Sequence, residues 1–494
     1  MSEKNTETSY RSIAKGTAIF GGTQIVSMLS NLAKGKLSAH IIGAYGMGIS
    51  SHLMSTLMPI QGFFTFGLNT SAVQTLSSIT DEVERSHYVK SFRRLMLVLA
   101  LMAMISTMAS SWWLSQLTFH TPVHWDWFVL LAVAIFFLIL ASAETTILQS
   151  YRKLRELAFC NLVSPLAGLF VTVPCYWFWT YEGIAPSIAA VGLVAWCVAR
   201  YFTQGIPIPS VQLSWKNTWQ QSRGMLTLGA SIMTSSVLGS LSTYLINTYI
   251  GNHGSESDIG LYQAAYNITL QSTGMVFAAM GTDFFPHLSS LVHQRRQAQN
   301  LVCQEGEIVM LLIVPIALLL ITTAPLIIRI LLTSEFDSTI FLLRSMSVCL
   351  IARAVCFPLD YICIAKGDNT YFLLMEGIWA NVKTVVLIVI GYTKGGLDGI
   401  GIALLVGAAI EIAVSIFFNW WRYKITYSTS FYQQGAILTT AILCCYAFSF
   451  IQSPLLAYSL MVLTTIFAVC YAYCEMDKRI GIRNLIQQKF HAPN

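Results

Sequence analysis

About fourteen apolar runs follow one another along the 494 residues, each near the roughly 20 residues that a helix needs to cross a bilayer. Lipid offers the backbone no hydrogen-bond partners, so runs of this length must close their N–H and C=O groups within helices. The runs fall at 16–39, 48–76, 95–117, 127–148, 159–179 and 184–202, then 225–250, 259–281, 308–332, 340–365, 371–392 and 400–421. Two more, 436–451 and 455–473, close the chain. Only 11% of residues are charged, against about 25% in soluble domains, which excludes that class. The fold class expected is an all-α polytopic membrane protein.

The basic residues orient it. With the N-terminus inside, the cytoplasmic segments hold 22 of the 29 lysines and arginines, from Lys4, Arg11 and Lys15 to Arg483 and Lys489, whereas the outer loops hold Lys394. That bias is the positive-inside rule for an N-in, C-in protein, and one missed span would invert everything after it. The first 15 residues are polar and the helix after them is too long for a signal peptide, so no secretory signal is expected. The stretch Thr80–Asp81–Glu82 through Arg93–Arg94 reads as a cytoplasmic helix with Thr80 as N-cap, acids in its first turn and bases at its end. Residues 293–304 hold the matching place later in the chain.

An internal repeat divides the molecule. Gly16, Gly21 and Gly43 recur as Gly224, Gly229 and Gly251; Gly48 matches Gly260, and Gly183-Ile184-Ala185 matches Gly401-Ile402-Ala403. The order and the near-constant offset of about 210 residues mark a duplication. Six helices per repeat make both copies insert the same way round, a parallel repeat about the membrane normal. The expected domains are 1–210, 211–424, and an additional helix pair with a cytoplasmic tail at 425–494.

Six basic residues stay within or near the membrane: Lys34, Lys36, Arg329, Arg344, Arg353 and Lys383. Each costs about 2.5–3.5 kcal/mol at such depth and needs a wet cavity or a partner. At 1.5 Å per residue Arg353 lies roughly 20 Å from the outer end of its span, near mid-membrane. Lys383 and Glu411 are similarly central. Arg344 precedes Arg353 by nine residues, half a turn away in azimuth, so both face one ligand only if the helix bends, at Pro358 or elsewhere. Lys36 and His40 share a face in the outer third of the first span. The candidate cationic cavity is therefore Arg353, Lys36, Lys34, His40, Arg344 and Lys383. Against it stand simpler roles: Arg353 or Lys383 paired with an acid such as Glu411 or Glu376, Arg329 as a rim anchor, and Lys34 and Lys36 reaching out to headgroups. Glu411, Glu144 and Asp283 are the candidates for coupling to a proton or sodium ion. The eleven cysteines lack any metal-ligand spacing and read as small apolar residues, and no P-loop occurs. Neither cofactor, metal, catalytic residue nor nucleic-acid partner is expected.

The hairpin Lys36-x-x-Ala39-x-x-x-Gly43-x-x-Gly46-x-Gly48 resembles the first-hairpin signature of Wzx-type O-antigen and polysaccharide repeat-unit translocases, members of the MATE/MOP transporter superfamily. Ala324-Pro325 through Arg329 with Ser334-Glu335-Phe336 is similar to the end of that family's ninth helix. Leu342-Leu343-Arg344, Arg353 and Ile364-Ala365-Lys366-Gly367 resemble its tenth, and Glu376 stands where its eleventh often carries an acid. The resemblance covers the first twelve spans. This chain departs from it where Val348-Cys349-Leu350 replaces a polar position, and in its last helix pair, since fourteen is the count of lipid II flippases.

The resemblance implies a transporter, not an enzyme, in a bacterial inner membrane. Its substrate would be a polyprenyl-pyrophosphate-linked oligosaccharide carried to the outer leaflet by alternating access, and its partners membrane lipids, a polysaccharide polymerase and other assembly proteins. Basic residues suit the diphosphate, since arginine grips phosphate through paired donors. The alternatives are a MATE-like multidrug exporter using acids such as Glu144 and Glu411, a lipid II-type peptidoglycan precursor flippase, and a non-transporting scaffold.

Overall fold

The computed structural model describes residues 2–79, 81–151, 153–206, 215–291 and 294–480. These are helical nearly throughout, with no strand among them. By length and composition alone, eight helices of the described residues suffice to cross a membrane. The chain is an all-α, multi-pass membrane protein that packs as two compact units, 1–260 with 331–333, and 261–330 with 334–494.

In the first unit, α1 (Ser2–Thr65) turns at Gly43, whose φ of 63° and ψ of −168° belong to a region essentially reserved for glycine. The hairpin expected between 39 and 48 is that turn. Phe66 and Gly67, both at positive φ, break the helix again before α2 (Leu68–Ser78). α3 (Glu82–Ala109) is capped by Asp81, whose carboxylate accepts the N–H groups of Val83 and Glu84 at 3.4 and 3.1 Å. The expected cap Thr80 lies outside the described residues; the carboxylate at 81 satisfies two orphan donors and complements the dipole as well. With no breaker near Leu95, the cytoplasmic helix and the third span run as one until Ser110, where α4 (Ser111–Phe119) begins. α5 (Trp125–Ser150), α6 (Leu154–Trp179), α7 (Ile184–Thr203) and α8 (Trp215–His253) complete the unit. Its core is Leu53, Phe92, Phe128, Leu131, Ile135 and Ile139, each under 2% exposed. Lipid is as apolar as these side chains, so close packing, not the hydrophobic effect, holds such helices together.

The second unit takes most of α9 (Glu256–Ser290), then α10 (Arg295–Leu331) and α11 (Ile340–Ala365). The single turn α12 (Asn369–Phe372) runs into a π-helical segment, Leu373–Trp379, and on into α13 (Ala380–Tyr423). α14 (Thr429–Phe448) and α15 (Pro454–Ile480) follow. α13 doubles back at Gly395 and Gly396, the latter at φ 57°. Its halves touch backbone to backbone: a Cβ on Gly391 would sit 2.5 Å from the Gly399 carbonyl, and one on Gly399 would strike that of Gly391. That contact sets the hairpin register.

Packing and repeat divide the chain at different places. α8 packs with the first unit although the repeat assigns it to the second lobe, and the C-terminal pair belongs to the second unit. The pair is tied there by Tyr427 Oη donating to the Val355 carbonyl at 2.6 Å and by Arg479 pairing with Glu307 at 3.1 Å.

Candidate functional site

One face of α11 lines a cavity of about 520 Å³ in the second unit. Cys349, Arg353, Cys356, Phe357, Asp360, Tyr361 and Ile364 recur at three- and four-residue steps, which places them on one stripe of a 3.6-residue helix. The opposite stripe, including Ser347, Leu359 and Ile362, is buried in the protein. Ser345 bonds Tyr446 Oη at 2.8 Å, and Gly401 of α13 rests against Ser345 and Phe341, where a Cβ would come within 2.9 Å.

The other walls come from the π-helical segment and from α13. Glu376 lies in the π turn, whose widened geometry frees carbonyls from the regular ladder. The Asn381 side-chain amide donates to two of them, Glu376 and Gly377, at 3.1 and 2.8 Å. Lys383 and Glu411 meet across the α13 hairpin. By the Gly391–Gly399 register Lys383 falls opposite Gly407, and Glu411 is one turn further along the same face. The lysine is 8% exposed, and its Nζ lies 2.5 Å from Glu411 Oε2. Removing Glu411 would strand a buried ammonium, whereas removing Lys383 leaves a carboxylate 42% exposed to the cavity, so each loss falls to about 1–3 kcal/mol, below that of a fully buried pair.

Arg353 is exposed to the cavity and holds its guanidinium 5.1 Å above the Phe277 ring. Below it, Ser415 Oγ donates to Asp360 Oδ1 at 3.5 Å, and the Glu376 side chain lines the same cavity. A second, smaller void of about 40 Å³ continues from these groups past Ser415 and Asn419. The cavity thus carries two bases, Arg353 and Lys383, and three carboxyl groups, Asp360, Glu376 and Glu411. It is mixed in charge.

The sequence candidates separate accordingly. Arg353, Lys383 and Glu411 come together. Arg344, half a turn away as its spacing requires, donates instead to the Ile321 carbonyl of α10 at 3.2 Å. Lys34, Lys36 and His40 belong to the first unit and do not line this cavity. Arg329, well exposed, pairs with the half-buried Asp337 at 3.4 Å. Glu144, in the first unit, has both oxygens engaged, by Arg93 at 2.6 Å and Arg200 at 3.1 Å. The side chain of Asp283 lies outside the described residues. Sequence reading passed over Asp360, Phe357 and Tyr361, although Asp360 stands seven residues after Arg353 and so on its face. It is also the acid of the tenth span, found about two turns past mid-helix, whereas Val348-Cys349-Leu350 held none.

A profile for a family described as polysaccharide biosynthesis protein matches residues 13–341. No curated protein sequence matches. Among solved structures, the lipid II flippase MurJ in an inward closed conformation superposes with a TM-score of 0.71 at 13% identity, covering 94% of this chain and 99% of that one. An inward-facing multidrug resistance MATE transporter of the MOP superfamily reaches 0.67 at 14%, over 81% of this chain and 94% of its own. A MOP superfamily transporter from Pyrococcus furiosus, noted for the reverse polarity of its binding pocket, reaches 0.55 at 13%, over 83% and 96%. These likenesses are of fold.

Proposed function

The chain belongs to the polysaccharide biosynthesis protein family, a transporter family, and on that premise we propose that it carries a polyprenyl-pyrophosphate-linked oligosaccharide from the cytoplasmic to the outer leaflet of a bacterial inner membrane. Two lobes with fourteen spans and cytoplasmic termini alternate access to the substrate. The observation that carries this reading is Arg353: a guanidinium at mid-helix, open to a cavity and resting over the Phe277 ring. A charge at that depth is costly unless it meets water or an anion, and its planar fork matches a phosphate. The glycan occupies the aromatic and polar walls, and the lipid tail stays in the bilayer. Lys36, Lys34 and His40 act on the release side of the path, and Glu411 is the ion-coupling candidate that lines the cavity.

The three carboxyl groups favour a second reading, a MATE-like exporter of cationic amphiphiles. One pair of substitutions separates the two. Arg353→Ala should lower surface polysaccharide about 10- to 100-fold, the equivalent of one charge-assisted contact, while the lipid-linked unit accumulates inside. Drug efflux should be unaffected. Normal polysaccharide in that variant, with efflux abolished by Glu411→Gln, would replace the first reading by the second.

A further inference from the structure

The charge balance of the α11 cavity restricts which sugars it takes. Given the proposed function, on which this inference rests, the diphosphate occupies Arg353, and Lys383 is already held by Glu411 at 2.5 Å. What remains to face the first sugar is a pair of carboxyl groups, Asp360 and Glu376, and an aromatic wall. Phe357 stands 5.1 Å from Phe277 at 48°, and Tyr361 stands 4.9 Å from Phe357 at 62°. Phe284 and Phe285 back Tyr361 at 5.8 and 5.9 Å, so its ring is held from behind. Phe357, Asp360 and Tyr361 follow Arg353 along the cavity stripe of α11, within about 12 Å at 1.5 Å per residue. That is the reach of one or two sugar rings beyond a diphosphate.

Each half of this surface has a distinct chemistry. An aromatic face takes the C–H face of a pyranose, and a carboxylate accepts from its hydroxyl or ammonium groups. A hexuronate would bring its own carboxylate against Asp360 and Glu376, with both bases already engaged. We propose that this cavity selects a neutral or amino sugar next to the pyrophosphate and rejects an acidic one, with Phe357 and Tyr361 as its stacking platform and Glu376 as the group that excludes negative charge.

The test uses the full chain in lipid nanodiscs and three probes: farnesyl pyrophosphate, the same lipid pyrophosphate bearing an N-acetylhexosamine, and the same bearing a hexuronate. The N-acetylhexosamine probe should bind at least about tenfold more tightly than the hexuronate probe, the scale of one like-charge juxtaposition. Glu376→Gln should narrow that gap by raising hexuronate affinity. Phe357→Leu and Tyr361→Leu keep apolar bulk but lose the ring face. Each should lower the affinity gained from the neutral sugar about fivefold and leave farnesyl pyrophosphate binding unchanged. Equal or tighter hexuronate binding, or a gap that Glu376→Gln does not move, overturns the inference while leaving the transport reading intact. Farnesyl pyrophosphate that fails to bind, or binds regardless of Arg353→Ala, overturns the transport reading itself.

Discussion

Two carboxylate clusters in this protein look alike in sequence and differ in what surrounds them. Glu144 in α5 and Glu411 in α13 are both acids within apolar spans, Glu144 four residues from the inner end of 127–148 and Glu411 near the middle of 400–421. Glu144 is clamped by two arginines, Arg93 from α3 and Arg200 from α7, so that three helices of the first unit are fastened at one point. Acid is outnumbered by base there. Glu411 has one partner, Lys383, and shares its cavity with two further carboxyl groups and with the guanidinium of Arg353. A saturated carboxylate is cement; an acid beside open volume and other acids can exchange partners.

The contrast is broken most directly at Glu144. Glu144→Gln leaves two arginines facing a neutral amide, and Arg200 opens partly to solvent. The expected loss is about 2–3 kcal/mol, below the range for a fully buried pair. It should appear as a lower unfolding temperature in detergent with transport per folded molecule retained. Loss of transport at unchanged stability would instead make Glu144 a coupling group.

At Lys383 and Glu411 a double-mutant cycle sharpens the other side. Lys383→Met and Glu411→Gln should each destabilise by about 1–3 kcal/mol, and the double variant by less than their sum, because the second change removes the charge that the first left unpaired. Additive losses would mean that the two side chains do not depend on one another.

The smallest effect belongs to an exposed clasp at the turn between α11 and α12. Burial raises the Asp368 carboxyl, but the Arg422 guanidinium at 3.0 Å, the Tyr371 N–H and the Tyr423 hydroxyl at 3.1 Å outweigh it and hold the group below the ordinary carboxylate range. A depressed folded value means that its stabilisation is present above the unfolded pKa of about 3.9 and is lost as pH falls through the folded value. Unfolding temperature measured from pH 6 down to pH 3 should therefore fall less steeply in Asp368→Asn than in the parent, and a parallel pair of curves would show that the clasp contributes nothing.

Much of the site was legible beforehand in one respect and closed in another. Arg353, Lys383 and Glu411 stood out because charges in apolar runs are conspicuous, and helical spacing separated Arg344 from Arg353 without any coordinates. Asp360 escaped because it sits near the inner end of its span, where an acid draws little notice. Phe357 and Tyr361 escaped because aromatics in a membrane helix are ordinary; only the cavity beside them makes them a wall. The π turn at 373–379 has no signature in the residues themselves.

By itself the sequence determined that this chain must be a bundle of membrane-crossing helices, because a long apolar run in lipid can satisfy its backbone in no other way. It also determined which residues of α11 share a face, because that follows from 3.6 residues per turn. Only the tertiary structure decided which acid meets which base. Partner choice depends on the rotation and register of one helix against another. In α13 that register comes from two glycines in backbone contact, and in the first unit from three helices converging on Glu144. Hydropathy carries no information about either, so the same inventory of buried charges was compatible with cement everywhere or with a cavity anywhere until the helices were packed.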